Sequence, residues 1–198
     1  MKKKLILSIA IILISGLFVN AQTKFKADLK NSKITWLGKK ITGEHSGTID
    51  LSNGEFTINN DMITKANFQI DMTSLKNTDM TDEEYRTKLE GHLKSDDFFG
   101  VDKFPKASFV MDKATKIMKG TTFVNGKITI KGVTQPITIK AVITDTPEGK
   151  RIYANITIDR TKFNLRYGSG SFFDNLGDKT IYDDFNVTLN LLMKKQDL

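Results

Sequence analysis

Apolar and polar residues alternate along most of this chain, and that alternation constrains the fold more than any other feature of the sequence. Runs such as Ile137, Ile139, Ala141 and Ile143 repeat with a period of two, which is the spacing of a β-strand that buries one face. Roughly eight runs of this kind follow one another with short turns between them. The chain is therefore predicted to be mostly β, as a closed antiparallel barrel or a two-sheet sandwich.

Two local signals interrupt the alternation. Asn53 and Gly54 follow the run that ends at Leu51, and an Asn-Gly pair is typical of a tight hairpin turn. Thr81 and Glu84 have the spacing of a helix capping box, and apolar residues then recur at helical spacing as far as Leu93. One short helix is predicted near residues 81–93, lying across one end of the strands.

The amino terminus has the pattern of a secretory signal peptide. Lys2, Lys3 and Lys4 precede an apolar run to Val19, and small residues lead to Ala21. We expect cleavage after residue 21, a mature domain of residues 22–198, and a periplasmic or secreted location. The apolar run is shorter than the roughly 20 residues that a membrane-spanning helix needs. No stable membrane insertion is therefore expected after cleavage.

Charge and cysteine content exclude several kinds of partner and site. The net charge is +7, and it becomes +4 when the three lysines of the signal are removed. The remaining lysines are spread singly along the chain, so nucleic acid is not expected as a partner. The chain has no cysteine, which excludes disulfides, thiolate metal sites, a cysteine nucleophile and a lipid-attachment cysteine at the cleavage point.

The groups that most enzymes use are scarce in this sequence. The two histidines, His45 and His92, are far apart, and neither has a metal-ligand partner at a recognised spacing. Nucleophile elbows, phosphate loops and dinucleotide-binding glycine patterns are missing. Adjacent acids such as Asp183 and Asp184 are typical of helix caps and surfaces. We therefore expect no catalytic residues, no metal and no cofactor apart from a bound lipid.

Four stretches of the sequence resemble the YceI family of lipid- and polyisoprenoid-binding proteins. The longest is GHLKSDDFFGVDKFPKASF at residues 91–109, and the others are DMTSLKNT at 71–78, VNGKITIKGVT at 124–134 and IDRTKF at 158–163. The resemblance implies an eight-stranded antiparallel, lipocalin-like barrel in the bacterial envelope. It implies binding of a polyisoprenoid, such as a quinone tail, or of another long lipid, without turnover. The segment from Tyr167 to Asp184 departs from the family pattern.

The resemblance and the alternation together indicate candidate site residues, which fall into three groups. Residues predicted to line the lumen are Trp36, Phe68, Ile70, Phe109 and Met111. Residues predicted to form a portal or lid are Phe98, Phe99, Phe104, Phe163, Tyr167, Phe172 and Phe173. Residues predicted to lie near a lipid head group are His45, His92 and Arg160. For the apolar residues the alternative is plain packing in the core or beneath a loop. For His92 it is packing of the helix face, and for Arg160 a structural ion pair with Asp159.

Two other functions remain open at the level of sequence. The first is a stress-related structural or interaction protein whose barrel is filled by side chains, and a structure without a continuous lumen would favour it. The second is an isomerase that acts on a lipid through His45 or His92, and a buried histidine beside a carboxylate at the lumen would favour it.

Overall fold

The computed structural model describes residues 22–196, and these residues form a β-structure with one α-helix. The expected signal peptide lies outside the described residues. The strands are β1 (Thr23–Ala27), β2 (Lys33–Lys40), β3 (Gly43–Asn59), β4 (Met62–Asn77), β5 (Lys106–Met111), β6 (Thr115–Lys116), β7 (Thr121–Ile130), β8 (Val133–Thr146), β9 (Gly149–Asp159) and β10 (Ile181–Lys195). The helix α1 spans Glu83–Lys94, and short 3₁₀ helices span Arg160–Phe163 and Gly177–Lys179.

The strands close into an antiparallel barrel with eight strand positions. β2 pairs with β3 on one side and with β10 on the other, and β1 continues the same position because it also pairs with both. β6 likewise continues the position of β5 beside β4. The pairing β2–β10, with Val187 opposite Trp36, closes the barrel. The predicted barrel is confirmed, and the two-sheet sandwich was the wrong alternative.

The prediction of a hairpin turn at Asn53-Gly54 was wrong. β3 continues through both residues, and its pairing with β4 shifts register between Leu51 and Asn53, which marks a bulge. The chain turns instead at Asn60 and Asp61, which have φ values of 45° and 59°. A tight hairpin turn needs this left-handed backbone at its central residues, and Asn and Asp adopt it more readily than most residues do.

The predicted helix is present, with its first residue two positions later than predicted. Asp82 caps it, because the Asp82 Oδ1 accepts a hydrogen bond of 3.1 Å from the Tyr85 N–H, which is the role predicted for Thr81. The helix connects β4 to β5. It therefore lies at the barrel end that also carries the β2–β3 turn and residues 160–180, called here the upper end. Within residues 22–196, no helix is long and apolar enough to cross a bilayer.

The opposite, lower end of the barrel is filled by side chains. The rings of Phe25 and Phe56 stack with their centroids 4.7 Å apart. Phe56, Leu191 and Met193 are each at most 2% exposed. Packing of this density leaves no path for a ligand, so any entrance to the interior must lie towards the upper end.

Higher in the barrel, three large inward-facing aromatic rings lie against glycines of neighbouring strands. A Cβ atom on Gly47 would lie 2.7 Å from the Trp36 ring, one on Gly54 would lie 2.8 Å from the Phe68 ring, and one on Gly126 would lie 2.6 Å from the Phe109 ring. The Trp36 indole N–H crosses Gly47 and donates a 3.1 Å hydrogen bond to the Lys76 carbonyl oxygen. These glycines therefore let each ring lie close to the barrel wall.

Replacing Gly47 with alanine should lower the free energy of unfolding by about 2–3 kcal/mol, as expected for overpacking in a closed interior. The added Cβ would lie 1.8 Å from the Lys76 carbonyl oxygen as well as against Trp36. Gly38→Ala is the matched control in the paired strand β2, because a Cβ there meets nothing within 4 Å. Urea unfolding measures both, and equal effects of the two substitutions would contradict this account of Gly47.

Candidate ligand-binding site in the barrel lumen

The barrel encloses a cavity of about 230 Å³ whose wall is apolar along most of its length. Inward-facing residues of β2–β5 and β7–β10 line it, and only Lys39, Ser108, Arg160 and Tyr182 among the described lining residues carry polar side chains. An apolar cavity of about 150 Å³ in a protein core stays dry and binds small hydrocarbons. This lumen is therefore suited to a slim apolar molecule rather than to water or a polar ligand.

The lumen opens at the upper end, beside an irregularity in β10. Among the described residues that line the lumen, Lys39 and Tyr182 are the ones exposed to solvent. In the pairing of β2 with β10, Lys40 lies opposite Ile181 and Gly38 lies opposite Phe185. The single residue Lys39 is therefore matched by three residues of β10, at positions 182–184. A bulge of this kind disrupts the ladder and bends its strand locally. Together with the exposed Lys39 and Tyr182, it indicates that the mouth of the cavity lies between β2 and β10.

Four of the five predicted lumen residues line this cavity. Trp36, Phe68, Ile70 and Phe109 contribute to its wall. Met111 lies on the same face of β5 as Phe109 and packs against the core, but it is not part of the cavity wall. Contact of any of these residues with a ligand stays a prediction.

The predicted portal residues divide into two groups. Phe98 and Phe99 line the cavity, and their rings pack edge to face with centroids 5.1 Å apart. The other five residues lie outside the wall of the lumen. Phe104 packs on Gly132, Phe163 is buried, and Tyr167, Phe172 and Phe173 are exposed on the segment between β9 and β10.

Arg160 holds the segment between β9 and β10 to the barrel. Its Nε and Nη2 groups donate to the Tyr182 and Ile181 carbonyl oxygens, at 3.0 and 2.9 Å. Its Nη1 group donates to the carbonyl oxygens of Leu165 and Tyr167, at 2.7 and 2.9 Å. Nη2 also lies 3.4 Å from the Asp183 Oδ1. The guanidinium thus has little capacity left to bind a head group.

Burial lowers the pKa of the Arg160 guanidinium from its ordinary value, and the charges of Asp183 and Asp159 oppose this shift. An arginine remains protonated in proteins despite such shifts. The side chain is 2% exposed, so it is a buried cation that needs all of these oxygen partners.

The two histidines lie outside the wall of the cavity. The His45 Nδ1 is 3.1 Å from the Asp79 Oδ2, and both side chains are about one-third exposed. Burial raises the pKa of Asp79, but hydrogen bonds from Asn77, His45 and Ser46 outweigh it, so the pKa is below its ordinary value. His92 packs edge to face on Phe98 and on Tyr167. In residues 22–196, no group of three or more His, Cys, Asp or Glu residues is placed to hold a metal ion.

The sequence reasoning missed the two residues at the mouth, Lys39 and Tyr182. One signal was present, because Asp183 occupies an inward position in the alternation between Ile181 and Phe185. A charged residue at an inward position is a sign of a bulge or a partner charge, and β10 has both.

A closed eight-stranded barrel with an apolar lumen defines the molecule as a lipocalin-like barrel protein. The family described as YceI-like domain matches residues 25–193. This chain belongs to the YceI family, as the motifs at residues 91–109 and 124–134 predicted.

Comparison with individual proteins agrees with this assignment. A UPF0312 protein of Shewanella denitrificans is 38% identical over 65 residues, which are 33% of this chain and 34% of that protein. The match thus spans only about a third of this curated relative.

Two solved structures share the fold. Burkholderia cenocepacia BcnA has a TM-score of 0.67 at 22% identity, over 83% of this chain and 98% of that one. A polyisoprenoid-binding domain from Saccharophagus degradans, described as implicated in plant cell wall breakdown, has a TM-score of 0.61 at 16% identity. The match covers 87% of this chain and 98% of that domain. At these identities the likeness shows the fold alone.

Replacing Arg160 with leucine should lower the free energy of unfolding by about 3–5 kcal/mol, because removing one partner of a buried ion pair leaves the other uncompensated. The control is Arg166→Leu, since Arg166 is exposed and lies over the Phe172 ring at 4.9 Å. It should cost less than about 1 kcal/mol. Urea unfolding measures both, and a loss below 1 kcal/mol for Arg160→Leu would show that Arg160 does not anchor the segment.

Proposed function

We propose that this protein binds one long apolar lipid in the barrel lumen, a polyisoprenoid such as the tail of an isoprenoid quinone, and does not change it chemically. The observation that carries the proposal is the apolar cavity with its mouth at the upper end and a filled lower end. The fold that this chain shares with a domain described as polyisoprenoid-binding also supports it.

The dimensions of the barrel suit an extended tail. β8 has 14 residues, and at about 3.3 Å per residue and a tilt of about 40° such a strand spans roughly 35 Å along the barrel axis. The packed lower end takes up part of this length. A tail of several isoprene units therefore fits between the mouth and the Phe25–Phe56 stack.

The apolar wall supplies enough free energy to hold such a tail. Each buried methylene group contributes about 0.8 kcal/mol, whereas loss of free motion on association costs about 4–15 kcal/mol. An isoprene unit has five carbons and contributes up to about 4 kcal/mol, so a tail of about four buried units offsets even the upper end of this cost without a strong polar contact. Short polar compounds do not, so the site should select for tail length.

The chemistry of the wall supports binding rather than catalysis. Among the described lining residues, the charged ones are Lys39 and Arg160, both at the mouth. The His45–Asp79 pair could transfer a proton, but it lies outside the cavity wall. An isomerase would need such a group beside the buried tail.

We propose that the protein acts in the periplasm or outside the cell. The support is the sequence of residues 1–21, whose lysines, apolar run and small residues have the signal-peptide pattern. An envelope location would place the barrel close to membranes, which hold isoprenoid quinones and other long lipids.

Replacing Phe109 with aspartate should weaken the binding of a long-chain quinone or polyprenol by at least about 30-fold in affinity. An unpaired carboxylate in the apolar lumen costs several kcal/mol when a ligand excludes water from it. Phe109→Leu keeps the wall apolar and should stay within about threefold of the original affinity. Titration followed by the fluorescence of Trp36, the sole tryptophan, measures each protein after its lipid has been removed.

The matched control is Val110→Asp. Val110 is 51% exposed on the outer face of the same strand and lies opposite Lys127, so the same charge should leave the affinity unchanged. The lumenal site would be refuted if the unsubstituted, lipid-free protein gave no saturable signal, or if Val110→Asp weakened binding as much as Phe109→Asp did.

A further inference from the structure

A polar depression adjoins the mouth of the lumen on the outer surface. It is lined by Lys39, Asp159, Thr161, Ser171, Tyr182, Asp183, Asp184 and Asn186. Lys39 and Tyr182 belong both to this depression and to the wall of the lumen, so the two spaces meet at these residues. If the lumen holds a lipid tail, as proposed above, the head group of that lipid lies in this depression.

Negative charge dominates the depression. Asp159 on β9 and Asp184 on β10 are directly opposite each other in the pairing of these strands, and like charges in that arrangement destabilise a sheet. Asp159 is held ionised: burial raises its pKa, but hydrogen bonds from Thr161 and the nearby Lys162 outweigh burial and hold the pKa below its ordinary value. Asp183 adds a third carboxylate between Tyr182 and Asp184.

The cations near the depression are already paired, including Lys162, whose Nζ lies 3.7 Å from the Asp159 Oδ2. The Lys39 Nζ lies 3.2 Å from the Glu44 Oε2. The Arg160 guanidinium is buried and directed at four carbonyl oxygens and Asp183. Among the described residues that line the lumen and the depression, Lys39 and Arg160 are the cationic ones. Asp159 and Asp183 take part in ion pairs as well, but the residues that line the depression carry three carboxylates and one ammonium group. A phosphate in the depression would thus meet net negative charge.

Hydrogen-bond donors are nevertheless present at the junction of the two spaces. The Tyr182 hydroxyl can donate to a neutral oxygen, and the Lys39 ammonium group has three donors, of which the pairing with Glu44 takes one. We propose that the depression is a head-group subsite for an uncharged oxygen acceptor, such as a carbonyl or hydroxyl oxygen, and that its carboxylates exclude phosphorylated lipids. The ligand class is thereby narrowed to isoprenoid quinones and alcohols, as opposed to prenyl phosphates.

The test compares three probes with the same tail: geranylgeraniol, geranylgeranyl monophosphate and geranylgeranylamine. Titration of the lipid-free protein, followed by Trp36 fluorescence, should give an affinity for the alcohol at least about tenfold higher than for the phosphate at low salt. Because the difference arises from repulsion between charges, it should shrink at about 1 M salt. The affinity for the alcohol should stay nearly constant.

Asp184→Lys tests the role of the carboxylates. It should reduce the preference for the alcohol over the phosphate by at least about tenfold, mainly by tightening the phosphate. Asp174→Lys is the matched control, because it changes the net charge equally on an exposed residue that lines neither space. That control should alter the preference by less than about threefold, as expected for a solvent-screened charge outside the lining of the depression.

Several results would overturn the head-group subsite while leaving the lumenal site intact. These are a phosphate affinity equal to or above that of the alcohol, an amine that binds as weakly as the phosphate, or equal effects of Asp184→Lys and Asp174→Lys. A lack of saturable binding by all three probes would instead overturn the proposed function, and the subsite with it.

Discussion

The lumen depends on the packing of three aromatic rings against glycines of neighbouring strands. An eight-stranded barrel is just wide enough to be filled by its own side chains or to hold one slim ligand. Trp36, Phe68 and Phe109 are large enough to fill it. Because Gly47, Gly54 and Gly126 have no side chain, these rings lie along the wall and leave the axis open. At the lower end, where Phe25 stacks on Phe56, the barrel is filled.

The mouth depends on a second set of interactions, centred on Arg160. Its guanidinium joins the connecting segment to β10, because it donates to the carbonyl oxygens of Leu165 and Tyr167 in the segment and of Ile181 and Tyr182 in β10. A buried charge stays in place only with such partners. These contacts hold β10 where it bulges away from β2. Among the described residues that line the lumen, Arg160 is a buried cation, and its contacts help to shape the entrance.

The alternation in the sequence left a closed barrel and a two-sheet sandwich open, and the resemblance to the YceI family favoured the barrel. Together they placed Trp36, Phe68, Ile70 and Phe109 on the wall of the lumen. The alternation could not distinguish Met111 from them, because a period of two gives the face of a strand and not the depth along the barrel. The Asn-Gly pair at residues 53–54 was misinterpreted as a turn, since the same residues also suit a bulge beneath a ring. Lys39 and Tyr182 were missed because the mouth arises from strand pairing and from Arg160, which are tertiary contacts.

The central claim is that the lumen carries a long apolar lipid, and native mass spectrometry of the protein purified from its native cells tests it most directly. We predict a single adduct of fixed mass that is retained under gentle ionisation and lost on denaturation, and that organic extraction identifies as an isoprenoid with an uncharged head group. A protein that has met no detergent or added lipid and carries no adduct would contradict the claim. An adduct that is polar or short would contradict it equally.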